Sequence, residues 1–330
     1  MTIVTHNSAP FIRHCLTHLL ETHQPAPPIV IVDNASSDNT RAILSEFASR
    51  AQIVLNPQNT GFAAAQNHAI ALTHTPWVLV LNPDVRLTVG FVSQLLAAAQ
   101  YHPRIGTVCG KLLALGPDFQ IPANPVLDST GIYFTPELRH FDRGSRQPDQ
   151  GQYNRVEYVF GATGAAALYR REMIEDVSIH GQFFDEDFFA YREDADVAWR
   201  AQLLGWRCVY TPEAVAYHVR SVLPTNRRQV SVLVNYHSVK NRFLMRIKNI
   251  DRSLYLRHAL AITWRDLIVL AGCLLREHSS LGAFGFVAQN WARMVEKRRA
   301  IMARRRVAPA EIARWFSRAP VAFPVEGTSG

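Results

Sequence analysis

The sequence predicts an α/β domain, a mostly parallel central sheet with helices on both faces, followed by a basic helical extension. Three observations predict it. Short β-branched runs alternate with amphipathic stretches through the first half, those runs end in polar clusters, and the charge balance changes near residue 226. The 330 residues suffice for a full α/β core. With 48% apolar and 19% charged residues, the composition excludes a disordered chain.

Thr2–Thr5 reads as a short first strand. Ser8 is the expected cap of a helix whose Phe11, Ile12, Cys15, Leu16, Leu19 and Leu20 share one face. IVIV at 29–32 is a fully buried strand type and enters the turn cluster DNASSDN. A helix (TRAILSEFASR), a third strand at 53–55 and an alanine-rich helix at 62–72 follow. WVLVL at Trp77–Leu81 is a fourth strand, stopped by Asn82-Pro83-Asp84. Residues 114–155, richer in Gly, Pro and polar residues, predict a long excursion with a hairpin and a mobile loop over the site. GATGAAALYRREM is a small-residue strand leading to a helix, and FFDEDFFAYREDADVAWRAQLLGW is an aromatic-acidic loop entering a helix at about Glu193. A last strand at 208–210 precedes PEAVAYH. These patterns give an α/β domain over 1–225, a helical basic region over 226–320, and a tail over 321–330 expected to fray.

Residues 227–318 hold 19 Lys and Arg against 5 Asp and Glu, whereas the rest holds 16 against 22. That asymmetry points to a polyanionic partner, nucleic acid or an anionic membrane surface. A nucleic-acid-binding protein using the basic C-terminal helices is the competing reading. No zinc finger or RNP-type aromatic strand supports it, so no nucleic-acid partner is expected. The apolar stretch 259–275 carries Arg265 and Asp266 in its middle. A span needs about 20 apolar residues with few charges, so this stretch reads as a buried or interfacial helix. Four scattered cysteines without a CxxC pair exclude a disulfide scaffold and a cysteine-rich zinc site, and they fit a reducing compartment. With no signal-peptide pattern in MTIVTHNSAPF, a cytoplasmic location is expected.

In open α/β sheets ligands bind beyond the carboxyl ends of the strands. Three polar clusters sit there: THN at 5–7, DNASSDN at 33–39 and NPD at 82–84. Asp33 reads as a turn residue capping the next helix, or as an acceptor for a nucleobase imide N–H. Asp84 reads as an ordinary turn residue, or as the carboxylate of a divalent cation that a diphosphate also coordinates. Six carboxylates between 185 and 196 are interleaved with Phe183, Phe184, Phe188, Phe189 and Tyr191. Acids suit a helix N-terminus, but apolar walls also raise a carboxylate toward the range of a general base, and that reading is preferred. His218, one of 13 histidines, gains meaning only from context.

Together VTHNS, VDNASSDNT, NTGFAAAQN, LNPDV, GATGAAALYRREM, FFDEDFFAYREDADVAWRAQLLGW and TPEAVAYH resemble the family 2 glycosyltransferases of the GT-A fold. The likeness covers about residues 2–220 and is nearest to the bacterial rhamnosyltransferase-like branch. It implies a Rossmann-like GT-A catalytic domain over 1–225. By this resemblance Thr5 and Asp33 contact the nucleotide base, while Asn59 and Gly61 shape the floor beneath the nucleotide. Asn82 and Asp84 stand at the DXD positions, Asn replacing the first Asp, with Asp84 holding Mg²⁺ or Mn²⁺. Asp194 is the catalytic base of the ED motif, and His218 completes the metal site. The implied reaction is inverting, metal-dependent transfer of a sugar to a glycan or polyprenyl-linked glycan in bacterial surface polysaccharide synthesis. The best guess for the donor among nucleotide sugars is dTDP-L-rhamnose. A catalytically silent scaffold is opposed by intact Asp84 and Asp194, and a nucleotidyltransferase by the lack of a glycine- and lysine-rich triphosphate loop. The Arg- and Trp-bearing C-terminal helices read as an appendage packed on the catalytic domain with solvated Arg outward, or as a docking surface that suits a peripheral place on the inner face of the cytoplasmic membrane, and the two readings are compatible.

Overall fold

The structure, a computed structural model, describes residues 1–23, 25–219 and 231–326. The chain runs β1 (Thr2–Thr5), α1 (Ala9–Thr22), β2 (Val30–Asp33), α2 (Thr40–Ser45), β3 (Gln52–Leu55), α3 (Phe62–Ala71), β4 (Trp77–Leu81), β5 (Val85–Leu87) and α4 (Phe91–Ala98). It continues with β6 (Ile105–Ala114), β7 (Leu127–Ser129), β8 (Ile132–Phe134), β9 (His140–Asp142), β10 (Glu157–Val159), β11 (Ala166–Arg170) and α5 (Arg171–Val177). A 3₁₀ turn (Glu186–Phe188), α6 (Glu193–Leu203) and β12 (Arg207–His218) follow. Then come α7 (Val232–Asn249), α8 (Arg252–Leu275), a second 3₁₀ turn (His278–Leu281), α9 (Gly282–Gln289), α10 (Trp291–Ala303), α11 (Pro309–Ala313) and β13 (Phe323–Pro324).

β3, β2, β1 and β4 lie side by side and parallel, as the alternation predicts. Beyond β4 the sheet is mixed. β11 lies antiparallel between β4 and β6, and β12 runs parallel to β6. All four residues of β2 are buried, which is why its run is apolar up to the terminal Asp33. Val4, Val30 and Val32 pack with Ala65 and Ala69 of α3, whose small side chains let the helix lie close to the strands. On the other face Ile3 and Ile31 share a core with Ile12, Leu16 and Leu19 of α1.

Several expectations are corrected. Ser8 makes no cap with its side chain. Asp38 does the work instead, its Oδ2 accepting from Ala9 N at 3.1 Å, while Ser8 N donates to Thr40 Oγ1. The last strand does not end at residue 210. β12 continues to His218 because a register shift between Thr211 and Val215 absorbs Pro212 in a bulge. The 114–155 excursion contains the expected hairpin, β8–β9, and is anchored by β7 on β6 and by Lys111 on Asp149 and Asn154. Within the tail expected to fray, Phe323–Pro324 pairs with β10 and Val325 is buried; residues 327–330 lie outside the described residues.

The C-terminal helices spend much of their positive charge inside the molecule. Lys248 bridges Asp185 and Asp196, Lys297 bridges Asp185 and Asp187, and Arg242 and Arg246 share Asp266. Arg304 and Arg306 take Asp176. The charge asymmetry of the sequence is therefore in large part complementary within one chain. α8 differs from expectation in its exposure. It is 24 residues long with a non-helical His258, and only Leu254, Ile262 and Cys273 are buried. Leu260 is 89% and Trp264 67% exposed, so the buried alternative fails. Among the described residues α8 is the one helix long and apolar enough to cross a membrane, by length and composition.

Candidate active site

The carboxyl ends of β1 and β2 are tied together by the predicted polar clusters. Thr5 and Asp33 are both fully buried, and Thr5 Oγ1 donates to Asp33 Oδ1 at 3.0 Å. Asp33 also accepts from Ser36 N and Oγ and, at 2.6 Å, from Arg41 Nε. Of these partners Arg41 is the most exposed, at 39% of its side chain. Beside Asp33 stands Asn34, which the sequence reading passed over. Its Nδ2 donates to Asn59 Oδ1 and Gly61 O, and its Oδ1 accepts from Asn56 Nδ2 and from Thr60 N and Oγ1. One buried amide thus fixes the β3–α3 loop. Gly61 has φ +85°, and a Cβ there would lie 2.6 Å from the ring and carbonyl of Phe189. This glycine is required by the approach of the aromatic-acidic loop as well as by its backbone.

Asn82-Pro83-Asp84 links β4 to β5. Because β5 pairs with the far end of β12, His218 faces this turn, and Val219 N donates to Asp84 O at 3.0 Å. His218 Nε2 lies 3.4 Å from Asp84 Oδ1, which is buried and has no hydrogen-bond partner among the described residues. His218 Nδ1 is 2.8 Å from Oδ2 of Asp128 on β7. Burial alone lowers the imidazole, but the hydrogen bond with Asp128 and then the charge of the nearby Asp84 outweigh it and raise its pKa to about 9. Asp128 was invisible to the sequence reading because it lies in the 114–155 excursion, 90 residues from its partner. Among the described residues no three or more His, Cys, Asp or Glu side chains form a metal cage. Asp84 supplies an orphaned carboxylate oxygen, and His218, protonated between two carboxylates, offers its Nε2 once a cation takes the place of that proton. That set fits a cation whose other ligands come from a diphosphate and water.

Asp194 sits in the first turn of α6. Its Oδ2 accepts from Gly164 N at 2.9 Å and its Oδ1 from Ala195 N at 2.7 Å. Gly164 precedes Ala165, whose carbonyl accepts from Asn82 N at 2.8 Å. The base candidate and the NPD turn are thus joined through the start of β11, at one end of the sheet. The six carboxylates of this stretch do not share one environment. Asp185 goes to Lys248 and Lys297, Asp187 to Lys297 and Arg293, and Asp196 to Arg200, Lys248 and Asn249. Burial opposes ionisation of Asp185, yet the two lysines hold it well below the usual carboxylate range. The carboxyl that the apolar wall raises is Glu193, pushed to about 8 by burial and then by the neighbouring Asp194 charge. Glu193 is therefore protonated at neutral pH and is unsuited to act as a base there.

The sequence matches the model of glycosyl transferase family 2 over residues 2–178, more than half of the chain. The chain belongs to this family. As a family 2 glycosyltransferase it is 28% identical, over 269 residues, to the N-acetylglucosaminyl-diphospho-decaprenol L-rhamnosyltransferase of Mycobacterium tuberculosis; the match covers 73% of this chain and 82% of that protein. It is 22% identical to the poly-β-1,6-N-acetyl-D-glucosamine synthase of Staphylococcus epidermidis, covering 81% of this chain and 62% of the synthase. Among solved structures it is similar to the mannosyltransferase PcManGT from Pyrobaculum calidifontis in complex with GDP-Man and Mn²⁺. There the TM-score is 0.53 at 18% identity, covering 94% and 83% of the two chains. It is likewise similar to S. aureus TarS 1–349 in complex with UDP-GlcNAc, with a TM-score of 0.54 at 16% identity, covering 91% and 87%. These likenesses show the GT-A fold of the glycosyltransferase, with its helical C-terminal region packed alongside.

Proposed function

We propose that this glycosyltransferase moves L-rhamnose from dTDP-L-rhamnose to a hydroxyl of a lipid-linked glycan, inverting the anomeric centre with the help of Mg²⁺ or Mn²⁺. The observation that carries this reading is the gathering of Asp84, His218 and Asp194 at one end of β4 and β11. The rhamnosyltransferase relative, whose name specifies a decaprenol-linked acceptor, supports the donor and acceptor class.

Thr5, Asp33, Asn59 and Gly61 form the nucleotide end of the site, and Asn82 borders the diphosphate. A base imide N–H reaches Asp33 where Arg41, its exposed partner, gives way. Asp84, and His218 once its Nε2 proton is displaced, would hold the divalent cation, which would neutralise charge on the departing diphosphate. Asp194 takes the acceptor hydroxyl proton as the acceptor oxygen bonds to the anomeric carbon. The bond from that carbon to the diphosphate oxygen breaks, and the nucleoside diphosphate leaves with the electron pair. One displacement from the face opposite the leaving group inverts the centre. The Gly164 N–H fixes the direction of the Asp194 carboxylate.

A thermal-shift panel of dTDP-L-rhamnose, UDP-GlcNAc and GDP-mannose, with and without Mn²⁺, tests the donor and the metal together. dTDP-L-rhamnose is expected to give the largest rise in Tm, and only with metal; Asp84→Ala is expected to lose the metal-dependent part. A larger rise with another donor would overturn rhamnose, and equal rises with and without metal in both proteins would overturn the metal.

The reading also places the enzyme peripherally on the cytoplasmic face of the membrane, with α8 lying against lipid. Beyond the break at His258, Leu260, Trp264, Leu267 and Leu274 follow one another at helical spacing and are all exposed. Exposed Arg252 and Arg257 near one end and Arg276 at the other suit anionic headgroups. Wild-type protein is expected to float with phosphatidylglycerol vesicles in a density gradient, and the Leu260→Glu/Trp264→Glu protein to stay at the bottom. Flotation of both would remove α8 as the docking element.

A further inference from the structure

The loop that leads into Asp194 has an unfavourable backbone. Phe189, Tyr191 and Arg192 have φ of 64°, 72° and 72°, three left-handed residues within four positions, none of them glycine. Bulky side chains rarely adopt that region, so the surroundings must impose it. On one side the start of α3 does so: Ala63 N donates to Phe189 O at 3.1 Å, and Gly61 leaves room for the Phe189 ring. On the other side stands α7. Little more than one turn of it, from His237 to Asn241, addresses the loop. His237 stacks on Phe189 with ring centroids 4.9 Å apart and planes within 10°. Ser238 O accepts from Arg192 Nε at 3.1 Å, and Lys240 Nζ donates to Asp187 O at 2.6 Å.

The centre of this contact is Asn241, which is fully buried. Its Nδ2 lies 2.9, 2.8 and 2.7 Å from the carbonyl oxygens of Phe188, Ala190 and Tyr191. Three carbonyls pointing at one amide group is the arrangement a chain takes when it doubles back on itself, and without a donor at the focus those oxygens would repel. The last of them belongs to Tyr191, three residues before Asp194. The sequence singles out this helix (LVNYHSVKNRFLMRIKNI) for its charge, yet the proposed chemistry uses none of it.

We propose that Asn241 is a positioning residue for catalysis, setting through the 188–192 turn the place of the Asp194 carboxylate opposite the donor. The proposal rests on Asp194 being the base. Asn241 touches no substrate in this scheme. It determines where α6 begins, while Gly164 N–H determines the direction of the carboxylate. A displacement of about 1 Å at a reacting group can cost about 10²-fold in rate.

The experiment compares Asn241→Ala, Asn241→Asp and Met245→Ala with wild type in full-length protein. Asn241→Ala removes the donor; Asn241→Asp keeps its shape but turns a carboxylate oxygen toward the three carbonyls. Met245, fully buried on the same helix one turn on, has an apolar thioether side chain, so its truncation reports simple loss of packing. Asn241→Ala is expected to lower kcat about 100-fold with the donor KM within twofold, and Asn241→Asp to lower it at least as far. Met245→Ala is expected to lower Tm by as much as Asn241→Ala or more while keeping kcat near wild type. If kcat tracks Tm across all three, or Asn241→Ala retains wild-type kcat, Asn241 is only structural and the proposal is overturned. An Asp194→Asn protein assayed alongside separates the two ideas. Wild-type turnover there overturns Asp194 as base; lost turnover there with intact Asn241→Ala activity overturns the positioning role alone.

Discussion

Asp194→Asn is expected to lower kcat by about 10²–10⁴-fold, the usual contribution of a positioned general base, while leaving donor affinity unchanged. The substitution keeps the volume of the side chain and an oxygen able to accept from Gly164 N. What it removes is the capacity to take up the acceptor proton. The neighbour is a poor replacement: Glu193 is buried, and burial, the larger cause that raises its pKa, stays when the Asp194 charge is removed. Initial rates with saturating donor, together with donor binding by calorimetry, check the expectation. Undiminished turnover would exclude Asp194 as the base.

The second large effect concerns stability. Lys248 is completely buried, between Asp185 and Asp196. Lys248→Met keeps most of the side-chain volume and leaves those carboxylates with Lys297, Arg200 and Asn249. Breaking a buried ion pair from one side costs about 3–5 kcal/mol, because the remaining charge stays out of water. The urea midpoint at pH 7 should fall accordingly with an unchanged slope. The effect depends on pH in a defined direction. Asp185 is held below its ordinary value of 3.8 in the folded state. Its stabilising contribution is therefore complete above that value and drains away as the pH drops below it, since the unfolded chain then takes up the proton first. The gap between wild type and Lys248→Met is expected to narrow from pH 7 to pH 3. An equal gap at the two pH values would show that Asp185 is not the group concerned.

Local signals were legible. The run WVLVL stops at Asn82 because proline cannot continue a central strand, and β4 has the expected bounds. The helix start at Glu193 follows from the acids of its first turn. Strand direction was not legible: β11 reads as one more apolar run, and its antiparallel insertion depends on the long connection after β6, not on its own residues. The continuation of β12 past Pro212 was hidden because a bulge can absorb a proline that a regular strand would reject. Within the site, Asp84, Asp194 and His218 stood out through their motifs. Asp128 and Asn241 did not, since each acts on a partner about 50 to 90 residues away and carries no local pattern. For the same reason the basic residues of 227–318 read in the sequence as a surface feature. Only the three-dimensional arrangement shows that Asp185 lies 112 residues from Lys297 along the chain and 2.6 Å from it in space.

The pairing of β13 with β10 has a practical corollary for anyone cutting the gene. After the helices the polypeptide returns to the sheet it left, so the boundary that the sequence pattern suggests near residue 225 is no place for scissors. A fragment stopped there would lose the outermost strand, leave Tyr158 and its neighbours as a raw margin ready to stick to other copies, and strand Asp185 without either ammonium group. Expression of the first 225 residues alone should yield aggregates, whereas an ending after Glu326 retains every contact described.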